Sequence, residues 1–276
     1  MTQPSLKRVT EHVAWLPPAD PDRPSLAAVV GTLQTLMLDI GASPAHTGLF
    51  LRELSAEGLP APTLAVLSHW HWDHVFGMGA LEVPILAHEE TARQLEPLRG
   101  YDWSDEALDA RVQTGEEAEM CARDIKLEMP SPREVTLRAP DIVFEEGLEL
   151  NLGGVTCHIL HVGGDHAADS CIVHVEPDGL VFLGDCLYDS IYAPERYYTA
   201  DKVFPLLDRV LALKAEYYIA GHGDSVMTRA ELEDWREQFQ QAFSVASESE
   251  TKEIEGDEDF DTLVQLFRVG LKRSDS

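Results

Sequence analysis

Residues 68–74 read Ser-His-Trp-His-Trp-Asp-His, so three imidazoles and one carboxylate lie within six consecutive positions. Imidazole nitrogen is a common ligand of divalent ions such as zinc, and a carboxylate can complete a second site. In an extended segment His69 and His71 point to one side because side chains alternate, and the two tryptophans then point away. Asp73 and His74 come after this segment and can face a second ion. The stretch therefore predicts a metal site.

Further ligands are expected at the ends of other short apolar strands, because His69 itself follows the apolar segment 64–67. Three more groups obey the same rule: Asp165 and His166 after segment 155–162, Asp185 after 180–183, and His222 after 217–220. Loops from adjacent strands converge at one edge of a sheet, where sites are commonly placed. Surface or core histidines with satisfied hydrogen bonds are the alternative interpretation, but four such groups favour one shared metal site.

Composition excludes several classes of function. The 276 residues include 49 Asp and Glu against 21 Lys and Arg, which gives a formal net charge of −28. This charge repels nucleic-acid phosphates and anionic membranes, so neither is expected as a partner. No stretch approaches the ~20 apolar residues of a membrane-spanning helix, and residues 1–15 lack the apolar segment of a secretory signal. Four cysteines without close spacing fit a reducing environment, so a cytoplasmic protein is expected.

Four motifs carry a resemblance to a known family. They are SHWHWDH (68–74), GGDHAADS (163–170), FLGDCLY (182–188) and AGHGD (220–224). In these motifs, and in their order along about residues 10–225, the chain resembles the metallo-β-lactamase superfamily. The resemblance implies an α/β fold, namely a four-layer αββα sandwich with a metal cleft at one edge of its two sheets.

The resemblance also implies a dinuclear site whose ligands are divided between two divalent ions. It assigns His69, His71 and His166 to the first ion and Asp73, His74 and His222 to the second, with Asp185 bridging both. His166 is preferred to His161 because Ser170 follows it by four residues, as in the family's H-x-x-x-S turn. Zinc is the expected metal for this donor set, with iron and manganese as alternatives.

Three residues are predicted to take part in the chemistry. Asp73 is expected to orient the attacking hydroxide and to deliver a proton to the leaving group, and Asp185 to bridge the ions. Tyr188 follows Asp185 by three residues, about where the family's lactonases place a tyrosine that contacts a carbonyl oxygen. A buried or rim tyrosine is the alternative interpretation of Tyr188.

The predicted function is hydrolysis of a small ester, lactone or thioester by metal-activated water. The net charge disfavours the nucleic-acid-processing branches of the family, and His71 disfavours the flavodiiron branch, which typically has a glutamate there. Two alternatives stay open: a mononuclear iron enzyme that resembles persulfide dioxygenases, and a non-enzymatic metal-binding effector. The expected partner is a small-molecule substrate, and a homodimer is left open.

The chain is expected to form one catalytic domain over residues 1–245 and an acidic C-terminal extension over 246–276. The charge run 247–261 predicts a solvated, mobile tail, and a short helix is expected over 260–271.

Two local predictions concern the surroundings of the cleft. Residues 97–140 are expected to form a helical insert near it, in which Tyr101, Trp103 and Met120 provide an apolar wall for the substrate. A helical hairpin that only covers the sheet is the alternative. Pro84 predicts that the strand over 81–87 lies at a sheet edge.

Overall fold

A computed structural model describes residues 4–248 and 258–274 of the chain. Within these residues the strands form two sheets. The seven-stranded sheet contains, in spatial and chain order, Lys7–Arg8 (β1), Val13–Leu16 (β2), Leu26–Val30 (β3), Thr35–Leu38 (β4), Leu64–Val66 (β5), Ile85–His88 (β6) and Ile142–Phe144 (β7). The six-stranded sheet contains Gly147–Asn151 (β8), Thr156–His161 (β9), Cys171–Glu176 (β10), Leu180–Gly184 (β11), Tyr217–Ala220 (β12) and Met227–Thr228 (β13), again in chain order across the sheet.

The helices lie in two sets along the chain. Those that accompany the first sheet are Pro44–Ala56 (α1), Trp72–Val75 (α2), Glu89–Leu98 (α3), Asp105–Thr114 (α4) and Glu119–Glu128 (α5), with a 3-10 turn at Phe76–Ala80. Those that accompany the second sheet are Ala200–Ala212 (α6), Arg229–Glu248 (α7) and Glu258–Ser274 (α8). Among the described helices, none combines the length and the apolar character needed to cross a membrane.

Three hydrophobic cores among the described residues show how the elements are layered. The central core lies between the two sheets and contains side chains such as Trp15 and Leu36 of the first sheet and Phe182 of the second. A second core, with Phe50 of α1, packs α1 to α5 on the outer face of the first sheet. A third core, with Phe267 of α8, packs α6 to α8 on the outer face of the second sheet. Three cores between successive layers make a four-layer αββα sandwich, so the predicted fold is confirmed.

Strand direction explains why loops meet at one edge of the sandwich. β4, β5, β6 and β7 are parallel neighbours in the first sheet. In the second sheet β9 and β11 are each antiparallel to β10, and β12 is parallel to β11, so β9, β11 and β12 all run in the same direction. The carboxyl ends of parallel strands lie at one edge of a sheet. Hydrogen bonds between the sheets join the two edges here: the Cys171 amide donates to the Ser68 carbonyl at 2.7 Å, and the Ser25 amide to the Gly221 carbonyl at 2.6 Å.

The sequence explains the burial of the central strands and the start of α1. β3 and β4 are continuous apolar runs, LAAVV and TLML, because both faces of the sheet are covered by another layer. α1 begins at Pro44, which needs no N–H partner in the first turn, and Ser43 caps it by accepting from the His46 amide at 3.1 Å.

One local prediction was wrong. β6 begins only after Pro84 and pairs with β5 on one side and β7 on the other, so it is an interior strand. Pro84 costs the ladder no hydrogen bond because it precedes the strand, and its carbonyl accepts from the Ala65 amide at 3.0 Å.

The described parts of the C-terminal region are helical. α7 continues through the proposed boundary at residue 245 to Glu248. α8 covers the predicted helix 260–271 and packs into the outer core through Val264 and Phe267. Most of the charge run, residues 249–257, lies outside the described residues, so the prediction of a mobile tail stays a prediction there.

Candidate metal centre

Three buried histidines form the first of two groups of donor side chains at this edge, and we call them the histidine group. His69 and His71 lie in the loop after β5, and His166 lies in the loop after β9. Their three ligand atoms all lie within 4.8 Å of one another. The ring centroids of His69 and His71 are 4.4 Å apart, so the two imidazoles face the same side, as side-chain alternation predicts.

Asp73, His74, Asp185 and His222 form the second group, which we call the mixed group. α2 carries the first two residues, and the loops after β11 and β12 carry the other two. The four ligand atoms lie within 4.8 Å of one another. Asp73 Oδ2 lies 3.1 Å from Nε2 of both His74 and His222.

Asp185 lies between the two groups. Its Oδ2 is 3.4 Å from Nε2 of His166 in the histidine group and 3.4 Å from Nε2 of His74 in the mixed group. The same oxygen is 3.3 Å from Nε2 of His222. The structure therefore brings together all seven residues that the sequence assigned to metal, with the carboxylate that was predicted to bridge in the shared position. Their roles as ligands stay a prediction.

Donor atoms in both groups have no hydrogen-bond partner. Within the described residues, His69 Nε2 and Asp185 Oδ1 are buried and unpartnered, and Nε2 of His74 and His166 meets only the carboxylate oxygens given above, without hydrogen-bond geometry. A buried polar atom without a partner costs about 1–3 kcal/mol, so several such atoms at one place indicate that a ligand completes the site. Imidazole nitrogens and carboxylate oxygens are donors for divalent transition ions, and these residues fit such ions.

Asp39 orients one histidine of each group. It directly follows β4, it is buried, and it adopts a left-handed backbone conformation with φ 56°. Its carboxylate accepts from the Ser68 amide at 2.6 Å and from the Ser68 hydroxyl at 2.8 Å, and it lies 2.7 Å from His74 Nδ1. Ser68 Oγ in turn lies 3.0 Å from His69 Nδ1. Both imidazoles thus use Nδ1 for the support and keep Nε2 for the site.

Two further contacts support the remaining histidines. His166 Nδ1 lies 3.0 Å from the main-chain oxygen of Asp189, which again leaves Nε2 facing the site. His222 Nδ1 lies 3.5 Å from Oδ1 of Asp22, which is carried by the β2–β3 loop. His222 is less buried than the other six residues of the two groups.

The electrostatics of the histidine group favour neutral imidazoles. Burial lowers the pKa of His69 and His71 well below the usual value, and the positive charges of neighbouring histidines lower the pKa further. Burial also lowers the pKa of His166. A neutral imidazole is the form that binds a metal, so this group is ready to do so at neutral pH without losing protons.

The mixed group has the opposite electrostatics. Burial opposes protonation of His74 and His222, but the carboxylates of Asp73 and Asp185 outweigh it and hold the pKa of both histidines well above the usual value. Burial likewise disfavours the charged form of Asp185, but His222 and His74 hold the pKa of this carboxyl well below its usual range. An ion that binds here must therefore displace protons.

Two glycines let the backbone pass close to these side chains. A Cβ at Gly221 would lie 1.8 Å from Asp185 Oδ1. Gly184 has φ 51°, and a Cβ there would lie 2.6 Å from Ser68 Oγ. Any larger residue at either position would displace the groups that hold the site.

A cavity of about 190 Å³ opens beside the donor groups. It is lined by His71, Asp73, His166, Asp185 and His222 of the two groups, and by Asp22, Trp72, Met120, Cys121, Tyr188, Asp189, Ile191 and Arg196. Met120 and Cys121 belong to α5, so the predicted helical insert between β6 and β7 contributes part of the wall. Of the three wall residues predicted there, Met120 lines the cavity, whereas Trp103 lies in the outer core and Tyr101 packs against that core. The cavity is smaller than the ~300–1,000 Å³ of typical ligand pockets.

Tyrosines lie close to the histidine rings. The Tyr188 ring centroid is 6.1 Å from those of His166 and His222. Burial and the charge of Asp185 raise the pKa of Tyr188, so its hydroxyl stays protonated and can donate a hydrogen bond. Tyr192 packs 5.0 Å from both Trp70 and His71 and closes the site on that side.

His161 lies outside both groups. Its ring stacks on His88 with centroids 3.8 Å apart, and its Nε2 lies 2.8 Å from the Ala168 carbonyl. The sequence preference for His166 over His161 therefore agrees with the geometry.

Sequence reasoning missed three residues that shape the site, namely Asp39, Asp22 and Arg196. Asp39 had a detectable signal, because it follows an apolar strand just as His69 and Asp185 do. Asp22 and Arg196 lie in loops of ordinary composition, and nothing in their local sequence distinguishes them from other charged surface residues.

Comparison with known proteins identifies the family. The family model described as metallo-beta-lactamase superfamily matches residues 20–222, which is more than half of the chain. The human acyl-coenzyme A thioesterase MBLAC2 is 25% identical over 223 residues, which cover 73% of this chain and 73% of that protein. The type 2 metallo-beta-lactamase of Bacteroides fragilis is 23% identical over 202 residues, covering 71% of this chain and 67% of that protein.

Solved structures share the fold. A metallo-beta-lactamase family protein from Thermus thermophilus superposes with a TM-score of 0.61 at 21% identity, covering 87% of this chain and 83% of that one. A variant of the sec-alkyl sulfatase PisA1 superposes with a TM-score of 0.71 at 15% identity, covering 98% of this chain and 50% of that one. At these identities the similarity establishes the fold alone.

Proposed function

The chain belongs to the metallo-beta-lactamase superfamily and is a hydrolase of that superfamily, and on this basis we propose that it is a dinuclear zinc enzyme that hydrolyses a small thioester. Esters and lactones are the related substrates, since all three classes present a carbonyl carbon to a water nucleophile. The observation that carries the proposal is the convergence of seven donor residues into two groups that share Asp185 beside a cavity.

The residues of the histidine group would hold one ion, those of the mixed group the other, and Asp185 would contact both. Divalent ions at such a site supply a nucleophile at neutral pH and polarise the substrate carbonyl. The chain's own contribution is to hold the donor side chains in place. Asp39 contacts His74 directly and supports His69 through Ser68. The main-chain oxygen of Asp189 holds His166.

Asp73 is the proposed proton carrier. Its carboxylate lines the cavity, and its Oδ2 lies 3.1 Å from Nε2 of both His74 and His222. An ionised carboxylate there orients the attacking water as a hydrogen-bond acceptor. The proton that this water loses during attack is carried by Asp73 to the leaving thiolate, which is a stronger base than a carboxylate. One water is consumed, and a carboxylic acid and a thiol are released.

Tyr188 is the proposed hydrogen-bond donor to the substrate carbonyl. It lines the cavity next to Asp185, and its protonated hydroxyl suits the negative charge that develops on the carbonyl oxygen during attack.

Two observations support a thioester within this class. The human and bovine relatives that match most of the chain are named acyl-coenzyme A thioesterases. The cavity wall includes the apolar side chains of Met120 and Ile191, which suit the acyl part of such a substrate.

The experiment is a panel of thioesters, esters, lactones and phosphodiesters offered to zinc-loaded protein, with metal content measured on the same sample. We expect close to two equivalents of zinc and turnover of thioesters. Turnover only with iron, accompanied by oxygen uptake with a persulfide, would replace the proposal by the dioxygenase alternative. Full metal loading without turnover of any substrate would favour a binding protein on the same fold.

A further inference from the structure

Arg196 differs from every other side chain around the cavity. Among the described residues that line it, Arg196 is the only lysine or arginine, whereas four of them are aspartates. The chain as a whole has a formal net charge of −28. A permanent positive charge on this wall is therefore an exception to its surroundings.

A bidentate ion pair holds the guanidinium of Arg196 in one orientation. Its Nε donates to Oδ1 of Asp189 at 2.5 Å, and its Nη2 donates to Oδ2 at 2.7 Å. Two parallel bonds of this kind fix the plane of the guanidinium group. The Asp189 side chain is 8% exposed and that of Arg196 is 52% exposed. In the part of the chain that the structure describes, Nη1 meets no acceptor, so its two N–H donors stay available.

The same aspartate connects Arg196 to the metal centre. The main-chain oxygen of Asp189 accepts from His166 Nδ1 at 3.0 Å. Arg196 is thus positioned relative to a residue of the histidine group. Because Arg196 and His166 line one cavity of about 190 Å³, a single small substrate can contact both Arg196 and the donor groups.

We propose that Arg196 is a specificity-determining residue that binds an anionic group of the substrate, a carboxylate or a phosphate. This inference rests on the proposed function and narrows it to anionic thioesters. The small cavity favours a carboxylate on the acyl chain, since the phosphates of coenzyme A are separated from the thioester by the length of the pantetheine arm. The planar fork of arginine matches either group with two hydrogen bonds.

The test compares three thioesters with zinc-loaded protein of the full chain. Glutaryl-pantetheine carries a carboxylate on the acyl chain, pentanoyl-coenzyme A carries phosphates on the leaving group, and pentanoyl-pantetheine carries neither. For Arg196→Gln we expect KM for glutaryl-pantetheine to rise about 10- to 100-fold more than KM for pentanoyl-pantetheine, which is the loss expected for a charge-assisted hydrogen-bonded pair. Arg196→Lys keeps the charge and should restore part of this difference.

Arg236→Gln is the matched control. Arg236 forms a similar pair with Asp208 at 2.6 Å on the outer helices, away from the cavity, so its loss changes net charge equally. A selective effect of Arg196→Gln on pentanoyl-coenzyme A instead would assign the anion site to the coenzyme phosphates. Equal effects on all three substrates, or the same pattern in Arg236→Gln, would overturn the proposal, because Arg196 would then act through Asp189 or through net charge.

A binding measurement separates this proposal from the proposed function. Calorimetric titration with glutarate and with pentanoate compares two ligands that differ only in the second carboxylate. Tighter binding of glutarate to the parent protein, lost in Arg196→Gln, supports the anion site even if no thioester is hydrolysed. Equal binding of the two acids overturns it, whatever the turnover.

Discussion

The histidine group and the mixed group lie side by side, yet they differ in charge, burial and support. The histidine group contains only imidazoles, all buried, whose pKa values are lowered by burial. The mixed group contains two carboxylates, and these raise the pKa of its histidines despite burial. One half of the proposed site is therefore neutral before any ion binds, whereas an ion bound by the other half would displace protons.

The mixed group is also less buried than the histidine group. His222, in the mixed group, is the least buried of the seven donors, and its outer nitrogen faces Asp22 at 3.5 Å rather than a short buried hydrogen bond. We therefore expect the ion of the mixed group to be the first to leave when metal is removed.

Replacing the residue shared by both groups should have the largest effect. Asp185→Asn removes the charge that faces His166 and His74, so the mixed group should lose its ion and kcat/KM should fall roughly 10³-fold or more. Metal content and thioester turnover measured together check this. Asp178→Asn is the control, since the Asp178 side chain is also buried but lies in the β10–β11 turn outside both groups, where it accepts from the His12 amide at 2.9 Å. Parent-level activity in Asp185→Asn would remove the bridging assignment.

Asp39→Asn should weaken metal binding by both groups to a similar extent, and by less than Asp185→Asn does. Asparagine tolerates the left-handed conformation at this position, so the change acts on the hydrogen bonds to Ser68 and His74 rather than on the backbone. We expect a loss of about 10- to 100-fold in metal affinity, which is typical for partners of metal-bound histidines. A competition assay with a zinc chelator measures it. A loss confined to one group would show that Asp39 supports only that group.

The two groups should respond differently to pH. Because the pKa values of His74 and His222 are raised, these histidines hold protons near neutrality, and an ion must displace them. Affinity of the mixed group should therefore increase with pH, by up to about tenfold per unit for each proton released, while the histidine group changes little. Zinc titrations between about pH 6 and about pH 8, in buffers of different ionisation enthalpy, count the protons. Equal proton release in both binding steps would contradict the assigned difference.

Asp22→Asn should have the smallest effect on metal affinity among these substitutions. Asp22 contacts the mixed group only through His222, at 3.5 Å, and it is partly exposed. We expect a loss of a few-fold in affinity for the second ion and no change in the first, below the 10- to 100-fold of well-formed supporting contacts. The same chelator assay resolves the two steps. A change in the first step would mean that the β2–β3 loop supports the whole edge.

The donor residues could be predicted because their types and positions are both unusual. Three histidines near an aspartate in one short stretch, and single Asp or His residues after apolar strands, are rare patterns, so they indicate metal chemistry locally. The layers of the fold were implied by the family resemblance that the same motifs carry. The wrong prediction at Pro84 shows the limit of local rules. Proline disfavours only positions within an interior strand, and Pro84 directly precedes β6, which lies between β5 and β7.

The sequence by itself predicted the candidate donor set, first from imidazole and carboxylate groups at strand ends and then, in full, from the family resemblance. Only the tertiary structure decided how these donors are held and what surrounds them. Asp22 and the Asp189–Arg196 pair lie in ordinary loops, and even Asp39, which follows an apolar strand, gains its role from His74, 35 residues away in the chain. Their pKa shifts and hydrogen bonds depend on burial and on distances of a few ångströms, which the packing of two sheets sets.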